Sequence, residues 1–155
     1  MDLGNIIKET LEDILIRLKT EFSEITVTKQ DDKTYVADIA SDEASILIGH
    51  HGETVYSIQH LLKVLCWSKA EGGENFNVIV DVDGYRKKQE DNVINLATRK
   101  VDFVRKTGRP QSLPPMSGYF RRIVHMQLME PEFDDIETIS EGENDGRHII
   151  IQSKK

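Results

Sequence analysis

The sequence predicts an α+β protein built from two small modules, each with helices set on a small sheet. Three observations carry that prediction. Across the first half, amphipathic helical segments and short β-branched runs follow one another in the order α-β-β-α-α-β. Asp83-Gly84 then breaks the pattern. Beyond it come a long basic helix, a shorter helix and two strand segments around a Gly-rich turn. The expected domains are 1–83 and 84–155, the second including the long helix 85–107.

In the first module, Leu3, Ile6, Ile7, Leu11, Ile14, Leu15 and Leu18 recur at helical spacing, which predicts a helix over 2–19. Glu24–Thr28 and Thr34–Ile39 alternate as strands, and Gln30-Asp31-Asp32-Lys33 between them has turn composition, so a hairpin is expected. Ser41 is the expected N-cap of a short helix. A second helix starts at Glu53 with Val55, Ile58, Leu61, Leu62 and Leu65 turned inward and Trp67 in the core or at its rim. Gly72-Gly73 is expected to stop it, and Phe76–Val82 supplies a third strand.

Between the two helices the apolar run Ile46-Leu47-Ile48 meets Gly49-His50-His51-Gly52. Glycines at positions 49 and 52 let the main chain turn sharply and approach a ligand closely. A helix opening behind them presents backbone N–H groups and the positive end of its dipole. Two glycines at this spacing also make an ordinary tight turn. The element order decides how the tetrapeptide is read: a G-x-x-G loop between paired helices, in an α-β-β-α-α-β unit, is similar to the type II (bacterial) KH domain, which clamps single-stranded nucleic acid.

Composition narrows the function classes. The chain has 155 residues, 38% hydrophobic and 30% charged. A single cysteine, Cys66, excludes a disulfide framework and a cysteine metal cluster. The start Met1-Asp2-Leu3-Gly4 lacks the basic opening of a signal peptide, and no apolar run reaches the ~20 residues of a membrane span. A soluble, cytoplasmic protein is expected. Net charge is −7, but it is segregated. Residues 1–83 carry 7 basic and 16 acidic side chains, residues 84–109 carry 8 and 3, and residues 110–155 carry 5 and 8. Phosphate responds to local potential, so the basic island outweighs the total; it also fits a merely solvated helix face.

That island is the helix 85–107, with Val93, Leu96, Ala97, Val101 and Val104 as its apolar stripe and Gly108 and Pro110 after it. Gln111–Leu113 is a short strand candidate. Ser117 is a candidate N-cap for a helix that places Arg121 and His125, four apart, on one face. Ile123, Val124 and Leu128 form its apolar side, and Ile136–Ser140 and Arg147–Gln152 are expected to pair as a hairpin.

The G-x-x-G unit, then Asp83-Gly84-Tyr85-Arg86, Thr107-Gly108-Arg109-Pro110, Tyr119-Phe120-Arg121-Arg122-Ile123-Val124-His125 and Ser140-Glu141-Gly142-Glu143, resembles the Jag family of bacteria, also called KhpB or SpoIIIJ-associated proteins. The resemblance covers nearly the whole chain. It implies a KH domain followed by an Arg-x-x-x-His domain, and an RNA-binding protein acting as an RNA chaperone or post-transcriptional regulator linked to the cell envelope and cell shape. It also implies a small KH-only protein as partner. Many members carry a further amino-terminal domain; this sequence opens in the KH helix, so functions that depend on that domain are not expected. Where a KH loop usually carries Lys or Arg, this one has His50 and His51. Where the family often has Asn-Pro-Tyr-Glu, this chain has Ser117-Gly118-Tyr119-Phe120, which predicts a frayed helix start.

The expected nucleic-acid contacts are therefore Gly49, His50, His51 and Gly52 on the sugar-phosphate backbone, and Arg121 with His125 on phosphate, beside Arg122. Arg99, Lys100, Lys106 and Arg109 add a sequence-independent term. With a reference pKa near 6.5, histidines in the loop predict weak binding that strengthens toward about pH 6. The ligand is single-stranded RNA, with single-stranded DNA open, and no cofactor or metal is expected. Other readings stand beside these. His50 and His51 are also two solvated loop residues, and a metal there lacks a third ligand. Arg121 is also placed to pair with Asp134 or Glu137. The acidic first module also fits an adaptor that docks a basic protein or another KH domain, and self-association is open. An enzyme built on Glu132, Asp134, Asp135 and Glu137 lacks a nucleophile or histidine at a recognisable spacing.

Overall fold

A computed structural model of the chain describes residues 2–70 and 75–155. The α+β class holds, and the chain divides into two compact units, 1–86 and 87–155.

The first unit opens with helix α1, Leu3–Arg17, which buries Ile7, Leu11, Ile14 and Leu15. Strands β1 (Glu24–Lys29) and β2 (Thr34–Ala40) pair antiparallel, with Ile25 opposite Ile39 and Val27 opposite Ala37. Their turn is held by Asp31, whose carboxylate accepts the N–H groups of Lys33 and Thr34, both at 2.8 Å. Those bonds hold the Asp31 carboxyl below its ordinary value.

Helices α2 (Ala44–Ile48) and α3 (Glu53–Lys69) then carry the chain over to β3 (Asn77–Val82), which pairs parallel to β2. The sheet order is β1-β2-β3. A parallel pair needs a crossover, and the 49–52 bend lies inside it. Alternation sends Ile25, Ala37, Ile39, Val78, Val80 and Val82 to the helix-covered face. Asp38 and Asp81 sit opposite each other on the other face. There burial, then the charge of Asp81, raises the Asp38 carboxyl above its ordinary value.

Three expectations need correction here. Ser41 is not the N-cap of α2; that position is Glu43. Ser41 is buried and ties two loops together: its hydroxyl donates to the Glu21 carbonyl and accepts the Glu43 N–H at 3.0 Å. On α3, Leu61 and Leu65 face solvent, at 47% and 37% exposure, while Val55, Ile58, Leu62 and Cys66 fill the buried positions. Only one narrow stripe of the helix meets the sheet, and Cys66 continues it. Trp67 is also exposed. The Gly72-Gly73 helix stop lies outside the described residues.

In the second unit, helix α4 (Tyr85–Thr107, its first two residues belonging to the first unit) buries Ala97, Val101 and Val104. Strand β4 is Gln111–Ser112, and helix α5 runs Gly118–Gln127. Strands β5 (Ile136–Glu141) and β6 (His148–Ser153) form an antiparallel hairpin, and the sheet order is β4-β6-β5. Leu113, Val124, Leu128, Phe133, Ile136, Ile149 and Ile151 close the core. Phe120 is buried too, an anchor that the expected apolar side of α5 omitted. Ser117 occupies the N-cap position of α5, but its side chain makes no capping bond.

Candidate nucleic-acid interface

The bend between α2 and α3 is set by three backbone requirements. Gly49 sits at φ 72°, ψ −172°, a region essentially limited to glycine. His51 has φ 52° and Gly52 φ 81°. Space enforces the same choice at Gly49 and favours it at Gly52. A Cβ on Gly49 would lie 2.1 Å from the Thr54 hydroxyl oxygen. A Cβ on Gly52 would lie 3.0 Å from the Tyr56 ring and 3.2 Å from that of Tyr85. The bend is therefore backed by Thr54, Tyr56 and Tyr85, residues that the sequence reading did not connect with it.

The other side is open. His50 and His51 are exposed, with ring centroids 4.1 Å apart and edge to face. The Gly49 N–H donates to the Ser45 carbonyl and the Gly52 N–H to the Gly49 carbonyl, while the Glu53 N–H takes the His50 carbonyl. These donors are used internally, and Gly52 is buried. The surface left to a ligand is the main chain and side chains of His50 and His51 with the Gly49 edge. Gly52 shapes the bend from behind. Arg86 belongs to this backing: it donates to the Val80 carbonyl at 3.2 Å and to Gln59 at 2.6 Å, and its guanidinium lies 4.9 Å from the Tyr56 ring centroid.

On α5, Arg121 and His125 share a half-buried face. Arg121 donates to the Met116 carbonyl at 3.2 Å, and its guanidinium packs over Gly118. Among the described residues it makes no ion pair with Asp134 or Glu137. The His125 Nδ1 shares a short hydrogen bond with the Thr138 hydroxyl of β5. Burial lowers the His125 imidazole below the ordinary histidine value, and the Arg121 charge lowers it further. The pair thus presents one permanent cation and one imidazole held toward its neutral form. Thr138 escaped the sequence reading. Its one signal was register: it lies two residues after the buried Ile136, and so on the same face of β5.

The cations of the basic island have separate tasks. Arg105 grips the Asp135 carboxylate through two bonds of 2.9 and 2.7 Å, donates to the Glu132 carbonyl at 2.7 Å and lies over the Phe133 ring. That contact holds the Asp135 carboxyl below its ordinary value. Lys100 is half-buried and reaches Gln111 at 3.4 Å. Arg99, Lys106, Arg109 and Arg122 are exposed. Arg122 lies a helical step round from Arg121. The carboxylates Glu132, Asp134, Asp135 and Glu137 are not gathered into a site: Asp135 holds Arg105, and Glu137 accepts from Gln152. Among the described residues, no three His, Cys, Asp or Glu side chains are placed to hold a metal, and no helix is long and apolar enough to cross a membrane.

Residues 8–82 match the KhpA/KhpB KH domain, and residues 91–153 match the Arg-x-x-x-His domain. An RNA-binding protein KhpB from Clostridium symbiosum is 30% identical over 156 aligned positions, covering 96% of this chain and 68% of the relative. The chain belongs to the KhpB family. An RNA-binding protein KhpB from Bacillus subtilis (strain 168) is 32% identical over 86% of this chain and 62% of its own length. That of Lactiplantibacillus plantarum is 31% identical over 71% of this chain and 33% of its own length. The chain thus spans about two thirds of the first two relatives and a third of the last. KH and Arg-x-x-x-His domains are nucleic-acid-binding modules, and these KhpB relatives are named for RNA binding, not for a reaction.

Proposed function

We propose that this chain binds single-stranded RNA through two surfaces: the His50-His51 bend between Gly49 and Gly52, and the Arg121–His125 face of the second unit. The observation that carries the reading is the bend. Gly49 has no room for a side chain behind it and Gly52 is crowded there by two tyrosine rings, while the two residues between are exposed. That combination keeps main chain within reach of a sugar-phosphate backbone. Arg121 supports the second surface, since no carboxylate neutralises it among the described residues. Arg99, Lys106 and Arg109 add a general attraction to phosphate. Arg122 and Lys100 contribute to that field from other faces. The regulatory role linked to cell envelope and shape and a KH-only partner belong to the same reading and rest on the family resemblance; a cytoplasmic location belongs to it too and rests on composition.

Fluorescence anisotropy with a labelled mixed-sequence single-stranded RNA at rising salt tests the proposal. Affinity should fall linearly on logarithmic axes, with a slope of about −0.7 per phosphate contact. Lys106→Ala should lower the slope by about one contact and weaken all sequences alike. A matched DNA strand separates the two sugars. No salt-sensitive binding at all would favour the adaptor, for which the acidic residues 1–83 are the supporting feature.

A further inference from the structure

The outer face of α4 carries a side chain that neither surface above uses. Phe103 is 46% exposed. Helical spacing sets it four residues after Arg99 and three before Lys106, on the side away from the buried Ala97, Val101 and Val104. Asn92 and Asn95 continue the stripe toward the helix start, and with Leu96 and Arg99 they line a shallow open depression. Arg99 and Lys106 make no ion pair among the described residues, whereas Arg105, on a neighbouring face, is held by Asp135. Asp102 borders the stripe on one side.

A single exposed phenylalanine is ordinary. This one is bracketed by two cations without an ion pair among the described residues, about 6 Å before it and 4.5 Å after it along the helix axis. A purely apolar partner would have to strip water from both charges. A ligand that presents flat apolar faces between regularly spaced anions meets all three groups at once, and single-stranded nucleic acid has that composition. We propose that Arg99, Phe103 and Lys106 form a base-stacking site for single-stranded RNA. The ring takes the face of one base, and the cations take the phosphates on either side. The site rests on the RNA-binding reading and goes beyond it, because the basic helix then engages bases as well as charge.

The test uses the whole chain, a labelled oligouridylate and an abasic ribose-phosphate strand of equal length and charge. Phe103→Ala should weaken oligouridylate binding about tenfold and leave its salt slope unchanged. The same variant should bind the abasic strand as the parent does, and Phe103→Tyr should keep the parent affinity. Arg99→Ala should weaken both strands and lower the slope. Parent binding that Phe103→Ala does not change overturns the stacking site and leaves RNA binding standing. Equal weakening on both strands assigns Phe103 to packing and also overturns it. A parent chain that binds neither strand overturns the stacking site together with the RNA reading.

Discussion

At residues 49–52 the surface on offer is main chain together with the His50 and His51 side chains, shaped by glycines whose missing side chains leave room for Thr54, Tyr56 and Tyr85. On α5 the surface consists of two side chains, and one of them is held by a residue from a strand thirteen positions later. The first arrangement is local: every residue that enforces the bend, apart from Tyr85, lies within a few positions of it. The second depends on tertiary packing, since His125 meets Thr138 only if α5 and the β5–β6 hairpin come together correctly. Backbone strain should therefore dominate failures at the first surface, and hydrogen bonding and protonation should dominate at the second.

The largest expected effect is at Gly49. Gly49→Val should cost the KH unit about 3 kcal/mol or more, combining a glycine-only backbone region with overlap against Thr54. Urea unfolding followed by far-UV circular dichroism measures it. A loss below about 1 kcal/mol would mean that the bend relaxes freely and the local argument fails. Next comes the double change His50→Asp with His51→Asp. Aspartate tolerates the positive φ at position 51, so the fold should persist. RNA affinity should drop by about tenfold or more, because carboxylates then face phosphate. Unchanged affinity would move the ligand off this bend.

Thr138→Val keeps the shape of β5 and removes the partner of His125. It should cost the second unit about 1 kcal/mol, read by thermal unfolding. The smallest effect is the pH response. Burial and Arg121 hold the folded-state value of His125 below the ordinary 6.5, so on acidification the unfolded chain takes up the proton first. Stability of the second unit is full above that ordinary value and declines as pH falls through it. The decline ends once the lower folded-state value is passed. His125→Gln should flatten the decline that sets in as pH falls through the ordinary histidine value. A slope that survives the substitution belongs to another group.

The same contrast explains what could be read in advance. The first unit was legible because its signals are local: period-two runs for the strands, helical spacing for α1, and glycine spacing for the bend. Its misreadings came from competition within one element. Leu61 and Leu65 are as apolar as Leu62, and only the width of the buried stripe excludes them. Ser41 had the residue type of a cap but was recruited to bridge Glu21 and Glu43. In the second unit the element positions were legible, as was the shared face of Arg121 and His125. The division of labour among the cations was not. Nothing in the local sequence separates Arg105, locked onto Asp135, from Arg99 or Lys106, because its partner lies thirty residues away.

The 2.1 Å approach of Thr54 to the missing Cβ of Gly49 has a stereochemical consequence. At φ 72°, ψ −172°, a mirror-image D-alanine sits in its own favoured extended region, and its methyl takes the other tetrahedral position, not the one that overlaps Thr54. Chemical synthesis or ligation that installs D-alanine there would leave the backbone of the bend unstrained. Such a chain would keep the bend's backbone conformation without an achiral residue, so its RNA affinity would read whether bare main chain at this position matters beyond folding.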